Sequence, residues 1–276
     1  MTTEKNNPMR DVRLVLFDMD GTLYLGDRLF SFSRELLSVI RQSGANYLFM
    51  TNNSSKSVSA YVQKLKRLGI DAEPRDFMTA SQATAYYLRK HHPTARLYVC
   101  GTVSLKEELQ ANGFFVTDDL DEVDAIVIGN DTELTFRKLD DVCRLLTARD
   151  LPYIATNPDY VCPTEYGFVP DCGSVCDMIA NATNKRPTVI GKPQALMPQL
   201  AMDKMGVSAQ QTVVVGDRIY TDIKSGLNAG CKTVLVMSGE TTPGILNASA
   251  DQPDLVLADA GELLPYFRMK GRDTHA

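Results

Sequence analysis

Short runs of Val, Ile and Leu alternate along this chain with segments whose apolar residues recur at helical spacing, the pattern of parallel strands joined by crossover helices. The first run, VRLVLFD at 12–18, leads through a glycine-containing loop to a helix predicted over 33–43 and a second strand, NYLFMT, at 46–51. An Asn/Ser-rich turn then opens a helix from Ser54 to Leu68, stopped by Gly69. Near Ser81 the rhythm starts afresh: strand ARLYVCG, helix SLKEELQANG, strand DAIVIGN, helix TFRKLDDVCRLLTARD, strand PYIAT and helix GSVCDMIANAT. After Pro187, strands TVIG, TVVVGD, KTVLVM and DLVLA alternate with helices at 194–205 and 221–229 and run into a last helix. The expected fold is α/β: a doubly wound parallel sheet from residues 1–80 plus 187–276, with 81–186 inserted as a second α/β domain that buries its own core. All the strands after Pro187, TVIG included, are expected to complete one sheet with the opening segment.

Composition narrows the function classes. The 276 residues are 44% hydrophobic and 23% charged, enough apolar material for about two ordinary cores. A formal charge of -5 without a basic cluster argues against a nucleic acid polymer as partner. No apolar run approaches the roughly 20 residues of a membrane span, so no membrane partner is expected. The polar segment MTTEKNNPMRDVR has neither signal-peptide nor transit-peptide composition, which points to the cytoplasm. Cys100, Cys143, Cys162, Cys172, Cys176 and Cys231 lack C-x-x-C spacing and are expected as free thiols, the group Cys162, Cys172 and Cys176 included. His91 and His92 precede Pro93 and are assigned to a solvated turn.

The residues that carry chemistry share one placement, at the point where an apolar strand gives way to a polar loop. They are Asp18 with Asp20, Thr51 with Asn52, Lys192, and Asp217 with Asp222. In open parallel sheets ligands bind at the carboxyl ends of strands, so residues far apart in sequence can meet there. Asp18 and Asp217 would supply hard oxygen ligands for Mg²⁺, which neutralises crowded carboxylates and keeps positions for water and phosphate. Lys192 would balance a bound phosphate, and Thr51 and Asn52 offer a hydroxyl, an amide and backbone N–H groups suited to an anion. Each piece has a plain alternative: D-x-D-G as a loop former, Lys192 as a solvated charge, Thr51–Asn52 as a capping turn.

Taken together, DMDGT (18–22), TNN (51–53), GKP (191–193) and GDRIYTD (216–222) closely resemble, in order and spacing, the four motifs of the haloacid dehalogenase superfamily. GNDTELTFRKLDDVCRLLTARDLPYIATNPD (129–159) resembles the α/β cap of its p-nitrophenylphosphatase-like branch, which inserts the cap between the second and third motifs. The resemblance implies a Rossmann-like core and a phosphatase that hydrolyses small phosphomonoesters, nucleotide, sugar or other metabolite phosphates, through an aspartyl-phosphate. In that scheme Asp18 attacks phosphorus while Asp20 protonates the leaving oxygen and then activates water. Thr51 and Lys192 hold the phosphoryl oxygens and Asn52 lends a backbone amide. Magnesium is bound by the Asp18 side chain, the Asp20 carbonyl and Asp217, with Asp222 reaching it through water.

One departure bears on the substrate. Where many relatives carry a glycine-rich turn, this cap loop reads VPDCGSVCD (169–177). Asp171, Cys172 and Gly173 are therefore candidates for substrate selection; Asp171 would disfavour a second anionic group and bond a hydroxyl, or else cap the helix that follows. The cap is also the surface through which the resemblance allows a homo-oligomer. Two other readings stand beside hydrolysis: a sugar-phosphate mutase, whose relatives usually carry a helical cap, and a silent binding module, whose mark would be lost carboxylates.

Overall fold

Leu14–Phe17 is buried at all four positions, so both faces of this strand are covered and its side chains need not alternate with polar ones. In the computed structural model, which describes residues 7–164 and 166–273, it lies inside a six-stranded sheet. The order is Leu255–Leu257, Lys232–Val236, Thr212–Gly216, Leu14–Phe17, Asn46–Thr51 and Phe77–Thr79. Pairing is parallel from Leu255–Leu257 across to Asn46–Thr51. From Leu14–Phe17 the chain winds outward to Phe77–Thr79, then returns on the other side at Thr212–Gly216. The winding therefore reverses beside Leu14–Phe17, and such a reversal opens a crevice at the carboxyl edge of the sheet.

The chain forms two compact units. The first holds the residues up to Thr51, Val62–Met78 and the chain from Lys192 onward; the second holds Asn52–Tyr61 and Thr79–Gly191. The second unit has its own parallel sheet, ordered Thr188–Val189, Tyr153–Ala155, Ala125–Ile128, Arg96–Cys100 and Phe115–Val116. Its core packs Tyr98, Ile126 and Ile128 with Val142 and Leu145 of helix Phe136–Ala148 and Val175 and Ile179 of helix Cys172–Thr183. Ser54 ties the 52–61 stretch to this unit: its hydroxyl accepts from Asn130 N–H at 3.0 Å and pairs with the Thr156 hydroxyl at 2.9 Å.

The two α/β layers follow the expected rhythm, with differences of local physical origin. The strand expected from TVIG does not extend the first sheet. Thr188–Val189 pairs with Tyr153–Ala155 in the second, and Ile190 and Gly191 continue that register by donating to Ala155 O and Thr156 O at 3.0 and 2.9 Å. Only Asn184–Pro187 separate it from helix Cys172–Thr183, and so short a link returns the chain to the edge of the sheet that helix covers. The helix expected from Ser54 begins at Val58, because the Asn53 side chain accepts from Ser55 N–H at 2.9 Å and holds an Asx turn. Helix 221–229 is divided into a π-type turn at Ile219–Ile223 and a short α-helix at Lys224–Asn228. Helix Ala80–His91 was not foreseen; its start is a reciprocal cap between Thr79 and Gln82, and His91 ends it with its ring 4.5 Å from Tyr87 instead of lying in a turn. Two short hairpins, Tyr24–Leu25 with Arg28–Leu29 and Val161–Thr164 with Gly167–Pro170, complete the described structure. The six cysteines form no disulfide, and among the described residues no helix is long and apolar enough to cross a membrane.

Phe49, wholly buried in the first sheet, sets its ring 5.3 Å from Tyr47 and 5.2 Å from Phe77. Phe49→Ala is expected to destabilise the protein by about 3–5 kcal/mol. Urea unfolding followed by circular dichroism measures this; a loss below about 1 kcal/mol would contradict the packing.

Candidate functional site

The backbone ladder carries Asp18 and Asp217 to the same edge. Asp18 N–H donates to Val215 O at 2.9 Å, continuing the pairing of Leu14–Phe17 with Thr212–Gly216 by one residue. Asp217 follows Gly216 directly, so the two carboxylates leave adjacent parallel strands beside the winding reversal. Lys192, almost wholly buried, reaches the first of them. Its ammonium donates to Asp18 Oδ1 at 2.7 Å, to Asp222 Oδ1 at 2.6 Å and to Met50 O at 3.2 Å. Asp222 is aimed back at the lysine by the π-type turn, and its second oxygen accepts from Arg218 N–H at 3.1 Å. Such turns recur at functional sites because the extra residue re-aims one side chain.

Carboxylate oxygens of Asp18, Asp217 and Asp222 all lie within 4.8 Å of one another. Burial, then Asp18 and Asp222, push the Asp217 carboxyl up to about 7. Burial raises Asp222 to about 6, Lys192 holding it down and Asp18 pushing it up. Burial alone would lower the Lys192 ammonium, but Asp18 and Asp222 leave it above the usual lysine value. Asp217 Oδ2 accepts from Glu240 N–H at 2.7 Å, whereas Oδ1 is buried and has no hydrogen-bond partner among the described residues. A buried carboxylate oxygen without a donor is costly. A small divalent cation with a preference for hard oxygen ligands fits this donor set and would supply the missing partner.

Two glycines make room for that carboxylate. Gly21 has φ +86°, and a Cβ there would lie 2.6 Å from Asp217 Oδ2; at Gly239 it would lie 2.0 Å away. Ser238 Oγ joins the two walls by donating to Gly21 O at 2.6 Å. The 238–241 loop was not singled out in the sequence, although SGET follows strand KTVLVM at another strand-to-loop junction. The same rule applied there would have found it.

Asp20 is exposed; its Oδ1 accepts from Gly26 N–H at 3.1 Å, and Lys64 Nζ lies 4.0 Å from Oδ2. Thr51 ends the strand on the other side of Leu14–Phe17 and is half-buried. The structure thus gathers Asp18, Lys192, Asp217 and Asp222, with Asp20 and Thr51 on the same unit. Asn52 belongs to the second unit, where its amide donates to Asp159 Oδ2 at 2.9 Å. Asp171, Cys172 and Gly173 belong there too. Asp171 caps helix Cys172–Thr183, accepting from Cys172 N–H at 2.5 Å and from Asn157 Nδ2 at 3.2 Å. Cys172 is wholly buried in the second core, its thiol pushed up by a hydrogen bond to Cys176 and by burial. Gly173 packs so closely that a Cβ would fall 2.2 Å from Pro158 O. A structural role is visible for each of the three.

Comparison with known proteins identifies the family. The family described as haloacid dehalogenase-like hydrolase matches residues 15–115, and the HAD-hydrolase-like family matches residues 189–263. The chain is 34% identical over 251 residues to an acid sugar phosphatase of Staphylococcus haemolyticus, covering 91% of this chain and 95% of that protein. It superposes on the crystal structure of a 4-nitrophenylphosphatase from Thermotoga maritima with a TM-score of 0.88 at 38% identity, over 94% of this chain and 98% of that one. A p-nitrophenyl phosphatase from Archaeoglobus fulgidus gives 0.87 at 28% identity, over 92% and 99%.

The raised carboxyls set a pH dependence for chelator-treated protein. Between about pH 4 and pH 7 the unfolded chain has lost protons that folded Asp217 and Asp222 still hold. Stability should therefore fall as pH rises through that window. Asp217→Asn is expected to flatten the decline in thermal unfolding scans; a slope unchanged by the substitution would refute the crowding.

Proposed function

The chain belongs to the haloacid dehalogenase-like hydrolases and is a phosphomonoester hydrolase, and on that footing we propose that Asp18 is its nucleophile and Mg²⁺ its cofactor. The observation that supports this most is the unpartnered Asp217 Oδ1 beside an Asp18 carboxylate already held by Lys192. Asp18, the Asp20 carbonyl and Asp217 would hold the ion, and Asp222 would reach it through water. When bound, the ion neutralises the carboxylates and draws charge from the phosphoryl group.

The rest of the chemistry falls to the chain's own residues. Lys192 fixes the Asp18 side chain and offers its remaining charge to phosphoryl oxygens, with Thr51 beside the same strand end. An Asp18 oxygen attacks phosphorus, forming an O–P bond as the ester P–O bond breaks. The leaving oxygen takes its proton from Asp20, whose tether to Gly26 N–H holds it in the hairpin that follows Asp18. Water then attacks the aspartyl-phosphate, giving its proton to Asp20 and freeing Asp18 and phosphate. Cysteines outside disulfides are in keeping with a reducing compartment such as the cytoplasm.

Sugar phosphates and aryl phosphates are the substrates to try first, given what the relatives are named for. A phosphate-release screen with magnesium should find turnover on such monoesters. Asp18→Asn should lower it on the order of 10⁴-fold or more, the scale of losing a nucleophile. Asp20→Asn should slow turnover about 10²–10⁴-fold while magnesium still binds, because residue 20 would hold the ion through its main-chain carbonyl and not its side chain. Near-normal turnover by the Asp18 variant would refute the assignment.

A further inference from the structure

Glu240 has no part in the chemistry above, yet its N–H and both of its carboxylate oxygens are engaged around Asp217. The N–H donates to Asp217 Oδ2 at 2.7 Å. Glu240 Oε2 lies 2.8 Å from Arg218 Nε, and Oε1 accepts the Tyr220 hydroxyl. The glutamate side chain thus grips the segment just after Asp217, while its main chain grips the carboxylate itself. The neighbouring Thr241 reinforces this: its N–H donates to Asp217 O at 3.2 Å, and its hydroxyl accepts from Ile219 N–H at 3.1 Å.

A carboxylate free to turn about its Cβ–Cγ bond presents either oxygen to a cation and loses that freedom on binding. A donor fixed at one oxygen removes the freedom beforehand, which favours binding. Gly239 closes the space on the Oδ2 side as well. The Arg218 and Glu240 side chains are 36% and 44% exposed, and a pair that open to water adds little to global stability. Their effect lies in aligning one N–H.

We infer that Glu240 is a positioning residue for the cation site: anchored by Arg218 and Tyr220, it locks its N–H onto Asp217 Oδ2 and leaves Oδ1 as the ligand oxygen. This rests on the divalent-cation reading of the preceding subsection. Outer hydrogen-bond partners of metal ligands typically contribute about 10–100-fold in metal affinity.

The test is Mn²⁺ binding to the full chain, followed by electron paramagnetic resonance, for the unsubstituted protein, Glu240→Ala and Glu240→Gln. The alanine variant should bind at least about tenfold more weakly, while glutamine stays within about threefold because its amide still accepts from Arg218 and donates to the Tyr220 oxygen. Chelated samples of all three should melt at closely similar temperatures. Undiminished binding by the alanine variant overturns the inference, as does an equal loss in the glutamine variant. A chelated Glu240→Ala protein that melts far below the unsubstituted one also overturns it, since Glu240 would then be holding the fold. If the unsubstituted protein takes up no Mn²⁺, the divalent-cation reading itself falls and the inference with it.

Discussion

Three crowded carboxylates, those of Asp217 and Asp222 buried, meet at the edge of the first sheet with one ammonium that pairs with two of them, and most of what surrounds them serves to make that arrangement tolerable. Burying a charge is expensive unless it is paired and hydrogen-bonded. Lys192 answers for Asp18 and Asp222, and the Glu240 N–H answers for one oxygen of Asp217. The remaining oxygen is left unanswered. A site in this condition favours a small cation over an empty state. The glycines at 21 and 239 belong to the same constraint, for any side chain there would collide with the Asp217 carboxylate.

The acidic edge of the first sheet was legible in the sequence because parallel sheets obey a simple geometry. A residue just past an apolar strand lies on a known side of the sheet, so Asp18 and Asp217 could be grouped before any coordinates, whereas Lys192 follows a strand of the other sheet and reaches Asp18 by a route that rule does not describe. Asp222 was legible as a motif member but not as the product of a π-type turn, because nothing in IYTDI distinguishes a five-residue hydrogen-bonded turn from an ordinary helix start. The 188–189 strand was misassigned for a different reason. Two β-branched residues look the same in either sheet, and only the short link behind them decides which edge they reach. Helix Ala80–His91 escaped notice because its alanines, serines and threonines give a weak apolar stripe.

The second unit shows how candidate specificity residues can also carry structural roles. Asp171, Cys172 and Gly173 drew attention because they interrupt a pattern seen in relatives. In the fold, each meets a local need: an N-cap for a twelve-residue helix, an apolar filler beneath it, and a close backbone approach at Pro158. Departure from a pattern identified a place worth inspecting, and its chemistry was then decided by neighbours that lie far away in sequence, such as Asn157.

The partners of the first strand have a consequence for how the chain assembles. Leu14–Phe17 takes one neighbour from Asn46–Thr51, available early, and the other from Thr212–Gly216, which the ribosome supplies only after the whole second unit has been made. Between those moments one flank of a wholly apolar strand lacks its ladder, and unpaired edges of that kind invite aggregation. Contacts spanning so much sequence also close slowly. Yield in a heterologous host should therefore hinge on chaperone supply and translation pace more than on the ultimate robustness of the finished molecule.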